Sequence, residues 1–429
     1  MTTVLIVGCG VMGLSSALEL AQQGYHVTAI DAYPVPSPWS AANDYNKIIR
    51  TEYSELMYTK MSIEALDLWR SSPMFKDTFN ECGRVMLTPK SYISRKEFEQ
   101  VGIDNLKRVG VGKKIEIFRG GEELTSKFPI FTGNVVKNDE EFKWNPESGL
   151  AHAANSLRAV YANAKLLGVK FFFGDVGNAV RIETVDGIDS VTTVDGTRYV
   201  ADKIIVTMGA STGYLVDMKT QQAATGLFVT HIRVNEKEYF KYKDMPVVFD
   251  SDMGYFFPPD PETRILKLCL PGSGASNYVK DPFDRGEKKS LPRYKLQNPG
   301  DTIPSDEPAR AIALLRKFAP ELAYHNLFDH KVCWIADTSD SHFIVDEVPG
   351  YNQLYVATGD SGHAFKFLPN IGKYIRKKLE GTLDPELNYC WRWKSDATAF
   401  NATNCTWRVV DRELDFSEIT FYDELNLKF

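Results

Sequence analysis

Eight residues, Gly359-Asp-Ser-Gly-His-Ala-Phe-Lys366, hold a carboxylate, an imidazole and an ammonium beside two glycines. They lie between a strand-like run, Gln353–Thr358, and a helix-like run, Leu368–Leu379. A connector between two buried elements has little use for three ionisable groups. Glycines that admit a ligand, with Asp360, His363 and Lys366 facing it, account for the composition better. Two plainer readings stand beside this one. Asp360 would be a turn carboxylate accepting from backbone N–H groups, and Lys366 a solvated residue at the start of the last helix.

A second such stretch opens the chain. Val4-Leu-Ile-Val-Gly8-Cys-Gly10-Val11-Met12-Gly13 ends a strand and begins a helix, and a second strand ends at Asp31. Gly8 permits a tight turn, Gly10 lets a pyrophosphate approach the backbone, and Gly13 lets helix and strand pack closely. The N–H groups of the helix start, around Val11 and Met12, face the anion. Asp31, 18 residues beyond Gly13, suits a ribose diol without a 2′-phosphate, as in NAD or the ADP half of FAD. Two further glycine turns follow strands, at Gly209 and at Gly359 to Gly362. Three turns at such spacing favour the long, extended FAD.

The elements that must position these turns are a βαβ unit at the front, a mixed middle, a strand-rich stretch from Leu227 to Leu270, and a return to strand-glycine-helix. Helices are predicted over Leu14–Gly24, Ala151–Gly168 and Glu307–Phe318, and Lys280–Pro304 reads as a long surface loop. The fold class is α/β, a Rossmann-type nucleotide domain with an inserted, mostly antiparallel β domain. The boundaries fall at 1–45, 146–215 and 328–388 for the nucleotide domain and 46–145 and 216–327 for the substrate domain. The tail 389–429 is expected to pack on the former.

The 429 residues carry a net charge of -6, which argues against a nucleic-acid partner. No apolar run reaches the ~20 residues of a membrane span. The start shows no charged n-region of a signal peptide, and Leu427-Lys-Phe429 is not a Ser-Lys-Leu type address, so the expected location is cytoplasmic, with peroxisomal the alternative. Six scattered cysteines suit a reducing compartment, and the seven histidines show no metal-ligand spacing.

Four motifs occur in order: the N-terminal fingerprint; Asn46-Lys-Ile-Ile-Arg50; Cys333-Trp-Ile-Ala-Asp-Thr338 with His342-Phe-Ile-Val-Asp346; and Gly359–Lys366. Together they resemble the sarcosine oxidase family of flavoproteins, over residues 1 to about 385, and most of all its eukaryotic branch acting on saccharopine, pipecolate and fructosyl-amino acids. The resemblance implies a D-amino acid oxidase-like fold and FAD held covalently by Cys333, with Ser40, Lys47 and Val180 also at the cofactor. It implies oxidation of the C–N bond of a secondary amino acid to an imine that hydrolyses, with O2 reduced to H2O2. Arg50 and Lys366 would bind the substrate carboxylate, and His363 would tune the flavin. Either Lys267, on an apolar strand, or Lys47 would activate O2. Tyr255 would line the pocket, and Asp360 would face a cationic amine or shape the pocket if it is not the turn carboxylate. A cysteine in an apolar strand is otherwise a core thiol, and Arg50 otherwise pairs with Glu52 or Glu55. Saccharopine or pipecolate is expected ahead of fructosyl-amino acids and sarcosine, in a monomer. A tailoring oxidase of a biosynthetic pathway and a catalytically silent FAD-binding protein are the remaining readings.

Overall fold

The computed structural model describes residues 1–133, 140–283, 286–401 and 412–423. The apolar run Thr3–Val7 becomes an interior strand of a six-stranded sheet covered on both faces, so its side chains after Thr3 are buried on both. It pairs in parallel with His26–Asp31 on one side and Lys203–Val206 on the other. From one edge the order is Ile344–Glu347, Leu354–Thr358, Lys203–Val206, Thr3–Val7, His26–Asp31 and Lys170–Phe173. The first of these is antiparallel to its neighbour. The three glycine turns therefore leave the same end of three adjacent parallel or flanking strands, which brings residues far apart in sequence to one cleft.

Helix Val11–Gln22 packs against helix Ile371–Leu379, and a Cβ on Gly372 would stand 2.1 Å from the carbonyl oxygen of Ser15. The helix Ile371–Leu379 begins three residues later than the sequence reading has it. Pro369 cannot donate to a helical ladder, and a single 3₁₀ turn, Phe365–Phe367, precedes it.

The strand-rich stretch builds a second sheet. Its order is Phe328–Asp337, Ala223–Arg233, Ile265–Ser276, Gly254–Phe256, Val247–Asp250, Arg84–Leu87, Glu141–Asn145 and Glu116–Arg119, with Arg412–Asp415 added beside Ile265–Ser276. A small sheet of Lys47–Ile49, Gly149–Ala151 and Phe79–Asn80 joins the two halves of the molecule.

Three features differ from the sequence reading. The strand carrying Cys333 belongs to the second sheet, not the nucleotide sheet, because it pairs antiparallel with Ala223–Arg233. The stretch 280–304 is not plain surface loop. It contributes to a ribbon, Tyr278–Lys280 with Lys288–Ser290, and folds Tyr294 inward. The described part of the tail packs on both halves, residues 402–411 and 424–429 lying outside the described residues: Trp391 is fully buried and donates from Nε1 to the Tyr58 hydroxyl at 3.0 Å, while Phe416 is buried against Trp334.

Candidate active site

Between the two sheets lies a cleft with about 1410 Å³ of atom-free space, its mouth included. The first turn forms one end. Gly8 has φ +106, and a Cβ there would stand 2.8 Å from the carbonyl oxygen of Thr207. A Cβ on Gly13 would overlap the carbonyl oxygen of Gly8 at 1.9 Å, so this glycine is demanded by packing rather than by a ligand. Gly10 is different. A Cβ there would meet nothing nearer than Ser40 Oγ at 3.7 Å, and Gly10, Val11, Met12 and Ser40 all line the cleft. The protein leaves open the space beside the helix start, where a pyrophosphate would lie. Asp31 also lines the cleft. Its carboxylate accepts from the backbone N–H of Cys9 at 2.7 Å and of Tyr33 at 3.0 Å, which aims it at the turn. Burial raises its pKa above the usual carboxylate value in spite of these bonds. These residues fit the ADP half of FAD.

Gly209, Asp360 and Gly362 line the cleft farther along. Gly359 and Gly362 have φ near +71, and Asp360 ties their turn to the neighbouring sheet. One oxygen accepts from Gly362 N–H at 2.9 Å and the other from Ala336 N–H at 2.9 Å. The turn reading of Asp360 is thus the one its geometry matches. Burial pushes its pKa up to about 6, with the backbone donors pulling the other way. Gly359 itself packs against Thr338 and lies outside the cleft lining.

The residues expected around the redox centre divide into three groups. Cys333, Lys47 and Tyr255 line the cleft together. Lys47 Nζ stands 3.7 Å from Cys333 Sγ and 2.7 Å from Asp44 Oδ2. Burial opposes the charge of Lys47, but Asp44 and Cys333 outweigh it and hold the ammonium above its ordinary pKa. Lys267 sits behind, 1% exposed, bonded to the same Asp44 oxygen and, at 2.9 Å, to the carbonyl of Asn46. Burial lowers its pKa, against the pull of Asp44. Lys331 Nζ lies 3.6 Å from the other Asp44 oxygen. The two lysines that compete in the sequence are therefore one cluster around a shared carboxylate, with Lys47 toward the cleft.

His363 lies behind the third turn in a box of Tyr53, Tyr58, Phe343 and Phe367, outside the cleft lining. Its Nε2 faces the Ser341 carbonyl at 2.9 Å and its Nδ1 the Tyr53 hydroxyl at 3.1 Å. A carbonyl only accepts, so Nε2 carries the proton and Nδ1 accepts from Tyr53. Burial and the nearby Lys366 charge keep the imidazole neutral, well below its ordinary pKa. Lys366 is 5% exposed and donates to the His363 carbonyl at 2.7 Å. Burial, followed by the charges of Arg50 and Arg84, drives its pKa well below the usual lysine range.

Arg50 and Lys366 flank Tyr53: the guanidinium lies 4.4 Å from the ring centre and the ammonium 5.4 Å. Arg50 opens on a second, smaller cavity rather than on the cleft, and it bonds the main-chain carbonyl of Glu52, not a carboxylate. Val180 is 52% exposed, and the cleft wall at that point is Gly177, Asn178 and Ala179.

Sequence reasoning missed several residues. Asp44, which holds three lysines, carries no signal beyond its place before the Asn46–Arg50 motif. Trp39 and Tyr294 stack at 5.0 Å and 8° along the cleft, and Tyr294 comes from the supposed surface loop. Cys269 adds a buried thiol beside Tyr255.

Comparison with known proteins agrees with this architecture. The chain is 38% identical over 446 residues to L-saccharopine oxidase of Schizosaccharomyces pombe, covering 98% of this chain and 99% of that one. It is 25% identical to monomeric sarcosine oxidase of Bacillus sp. strain B-0618, over 87% and 90% of the two chains. The structure of fructosyl peptide oxidase from E. terrenum superposes with a TM-score of 0.90 at 31% identity, over 99% of both chains. A family model described as FAD dependent oxidoreductase matches residues 3–378. With the open space at Gly10, the aimed carboxylate of Asp31 and the cleft between two sheets, that match across most of the chain identifies it: the protein belongs to the FAD dependent oxidoreductase family and its cofactor is FAD.

Proposed function

We propose that the protein oxidises the C–N bond of a secondary amino acid, with L-saccharopine the leading substrate. The observation that carries this reading is the convergence of Cys333, Lys47 and Tyr255 on one stretch of the cleft, with the Lys47–Asp44–Lys267 cluster behind it. The near full-length likeness to a saccharopine oxidase supports the substrate class. Bound FAD would supply the two-electron acceptor: the C–H hydrogen leaves with its electron pair, the N–H hydrogen leaves as a proton, and the same two electrons and two protons convert O2 to H2O2, while the imine takes up water and splits into an amine and a carbonyl compound.

The chain's own residues do the rest. Arg50 and Lys366 bind the α-carboxylate, and their spacing across Tyr53 orients the C–H bond. A bound carboxylate raises the pKa of Lys366, against burial and the charge of Arg50, and so favours its ammonium form. Lys47 faces the cleft with a fixed positive charge that stabilises developing superoxide, and Asp44 and Lys267 hold it there. His363 stays neutral and fixes the third turn through Ser341 and Tyr53. Cys333, which lines the cleft, would hold the flavin through a thioether to its 8α-methyl carbon, the thiol and the methyl each losing a hydrogen and the two electrons and two protons passing through the flavin to O2.

A peroxide assay against saccharopine, pipecolate, sarcosine and fructosyl-lysine tests the substrate order. Saccharopine is expected to give the highest kcat/KM, and preference for another of the four removes it. Acid precipitation of the yellow protein tests the thioether: the flavin should stay in the pellet, and its release as free FAD rejects the bond. The reading includes a monomer of 48.4 kDa in the cytoplasm, checked by gel filtration and cell fractionation. Elution as a dimer or recovery with peroxisomes would replace those two points.

A further inference from the structure

The second cavity is built unlike an ordinary core. It has about 440 Å³ of atom-free space, its open side included, and is lined by Arg50, Arg84, Arg95 and Lys143 against two carboxylates, Glu52 and Glu99. Arg84 bonds Glu52 at 3.0 Å, while Arg95 at 2.7 Å and Lys143 at 3.0 Å both bond Glu99. Among the described residues lining it, four cations face two carboxylates. Buried charge without a counter-ion is costly, so an arrangement like this calls for a ligand anion. Arg84 makes the point directly: it is 4% exposed, lines the cavity, and its Nε has no hydrogen-bond partner.

A short aromatic stack runs from the flavin cleft to this cavity. Tyr255, on the cleft wall, stacks on Phe249 at 5.2 Å and 13°. The guanidinium groups of Arg84 and Arg95 lie 5.8 Å and 5.6 Å from the Phe249 ring centre. Arg50 and Lys366 flank another ring, Tyr53. Arg50 thus touches both the α-carboxylate position and the second cavity.

We propose that this cavity binds a second carboxylate of the substrate, so that the enzyme selects N-substituted amino dicarboxylic acids. The inference rests on the oxidase reading and narrows it. One carboxylate meets Arg50 and Lys366; the other reaches the planar forks of Arg84 and Arg95 with Lys143 beside them, a donor set that matches carboxylate geometry. Saccharopine carries such a unit, a glutarate skeleton on its secondary nitrogen, with two carboxylates at the ends of three carbons. Sarcosine and pipecolate do not.

The test uses the flavin-loaded protein and two probes that differ by one carboxylate, glutarate and butyrate. Binding is read as the change in flavin absorbance and as the shift in thermal midpoint. Glutarate is expected to bind at least tenfold more tightly than butyrate. That advantage should fall below threefold in Lys143→Met and in Arg84→Gln, and recover in part in Arg84→Lys. Equal affinities in the unaltered protein overturn the proposal even if a variant fails to fold. An advantage unchanged in every folded variant also overturns it. Failure of saccharopine to bleach the flavin without oxygen would sink the oxidase reading alone, since the glutarate comparison is read independently of turnover.

Discussion

Replacing Asp44 with Asn separates the electrostatic account of oxygen activation from a structural one. Asp44 Oδ2 accepts from Lys47 at 2.7 Å and from Lys267, and Oδ1 lies 3.6 Å from Lys331. The three lysine charges outweigh its burial and hold its carboxyl well below the usual carboxylate range. At 2.7 Å and an effective permittivity near 20, one such pair is worth roughly 6 kcal/mol of Coulomb energy, before desolvation is counted. Removing one partner of a buried pair leaves a net cost of about 3–5 kcal/mol. Asn also turns an N–H group toward an ammonium. Lys267, 1% exposed and already lowered by burial, then loses the charge that holds it up, so its pKa falls further and its ammonium form is favoured only toward acid pH. Two measurements follow. Urea unfolding should show a loss of about 3–5 kcal/mol. Stopped-flow reoxidation of the reduced flavin should slow at least tenfold at pH 8 and recover toward acid pH, where the lysines are charged again. A loss of stability with an unaltered, pH-independent reoxidation rate would make the cluster structural and remove its role with oxygen.

Three other outcomes are expected. Gly13→Ala puts a methyl 1.9 Å from the Gly8 carbonyl oxygen, so the protein should be recovered without flavin or with strongly weakened FAD binding; a fully flavinylated, stable variant would refute the packing role. Glu52→Gln tests the cavity network. Burial raises this carboxyl, but Arg84 and Arg50 prevail and lower it from 4.5 to about 2. Its folded-state pKa is depressed, so its stabilisation is present above about pH 4.5 and is lost as pH falls through 2. The gap corresponds to about 3 kcal/mol, and the variant should lose that limb of the stability–pH curve; an unchanged curve contradicts it. Asp360→Asn tests the opposite sign. Its folded-state pKa is raised to about 6, so its contribution is full below about pH 4 and lost as pH rises through 6, and the variant should flatten that window. A window of unchanged slope would show that Asp360 titrates as an ordinary carboxyl.

Local pattern carried much of this site. Gly8, Gly10, Gly13 and Asp31 are legible because backbone geometry restricts which residues can stand there. Glu307–Phe318 is legible because its apolar face recurs at helical spacing and its ends are marked. What the sequence hides is tertiary. Asp44 owes its importance to Lys267 and Lys331, more than 200 residues away, and no local spacing encodes that. The strand around Cys333 reads as part of the nucleotide domain because it precedes the third turn, yet its pairing partner is Ala223–Arg233. Tyr294 lies in a polar, proline-bearing stretch, and only the fold shows it against Trp39. His363 illustrates the converse: the motif places it correctly in the turn, but whether its ring faces the cofactor or the aromatic box depends on Tyr53, Tyr58 and Phe343. The set of cations around Arg84 is likewise assembled from four separate elements.

The central claim is that this flavoprotein oxidises a secondary amino acid and passes the electrons to oxygen. Its most direct test is an anaerobic titration of the yellow protein with L-saccharopine, followed by admission of air. One equivalent is expected to bleach the flavin, and air to restore the colour with one equivalent of H2O2. A flavin that stays oxidised under excess saccharopine, pipecolate, sarcosine and fructosyl-lysine, or one that bleaches but does not reoxidise in air, would contradict it.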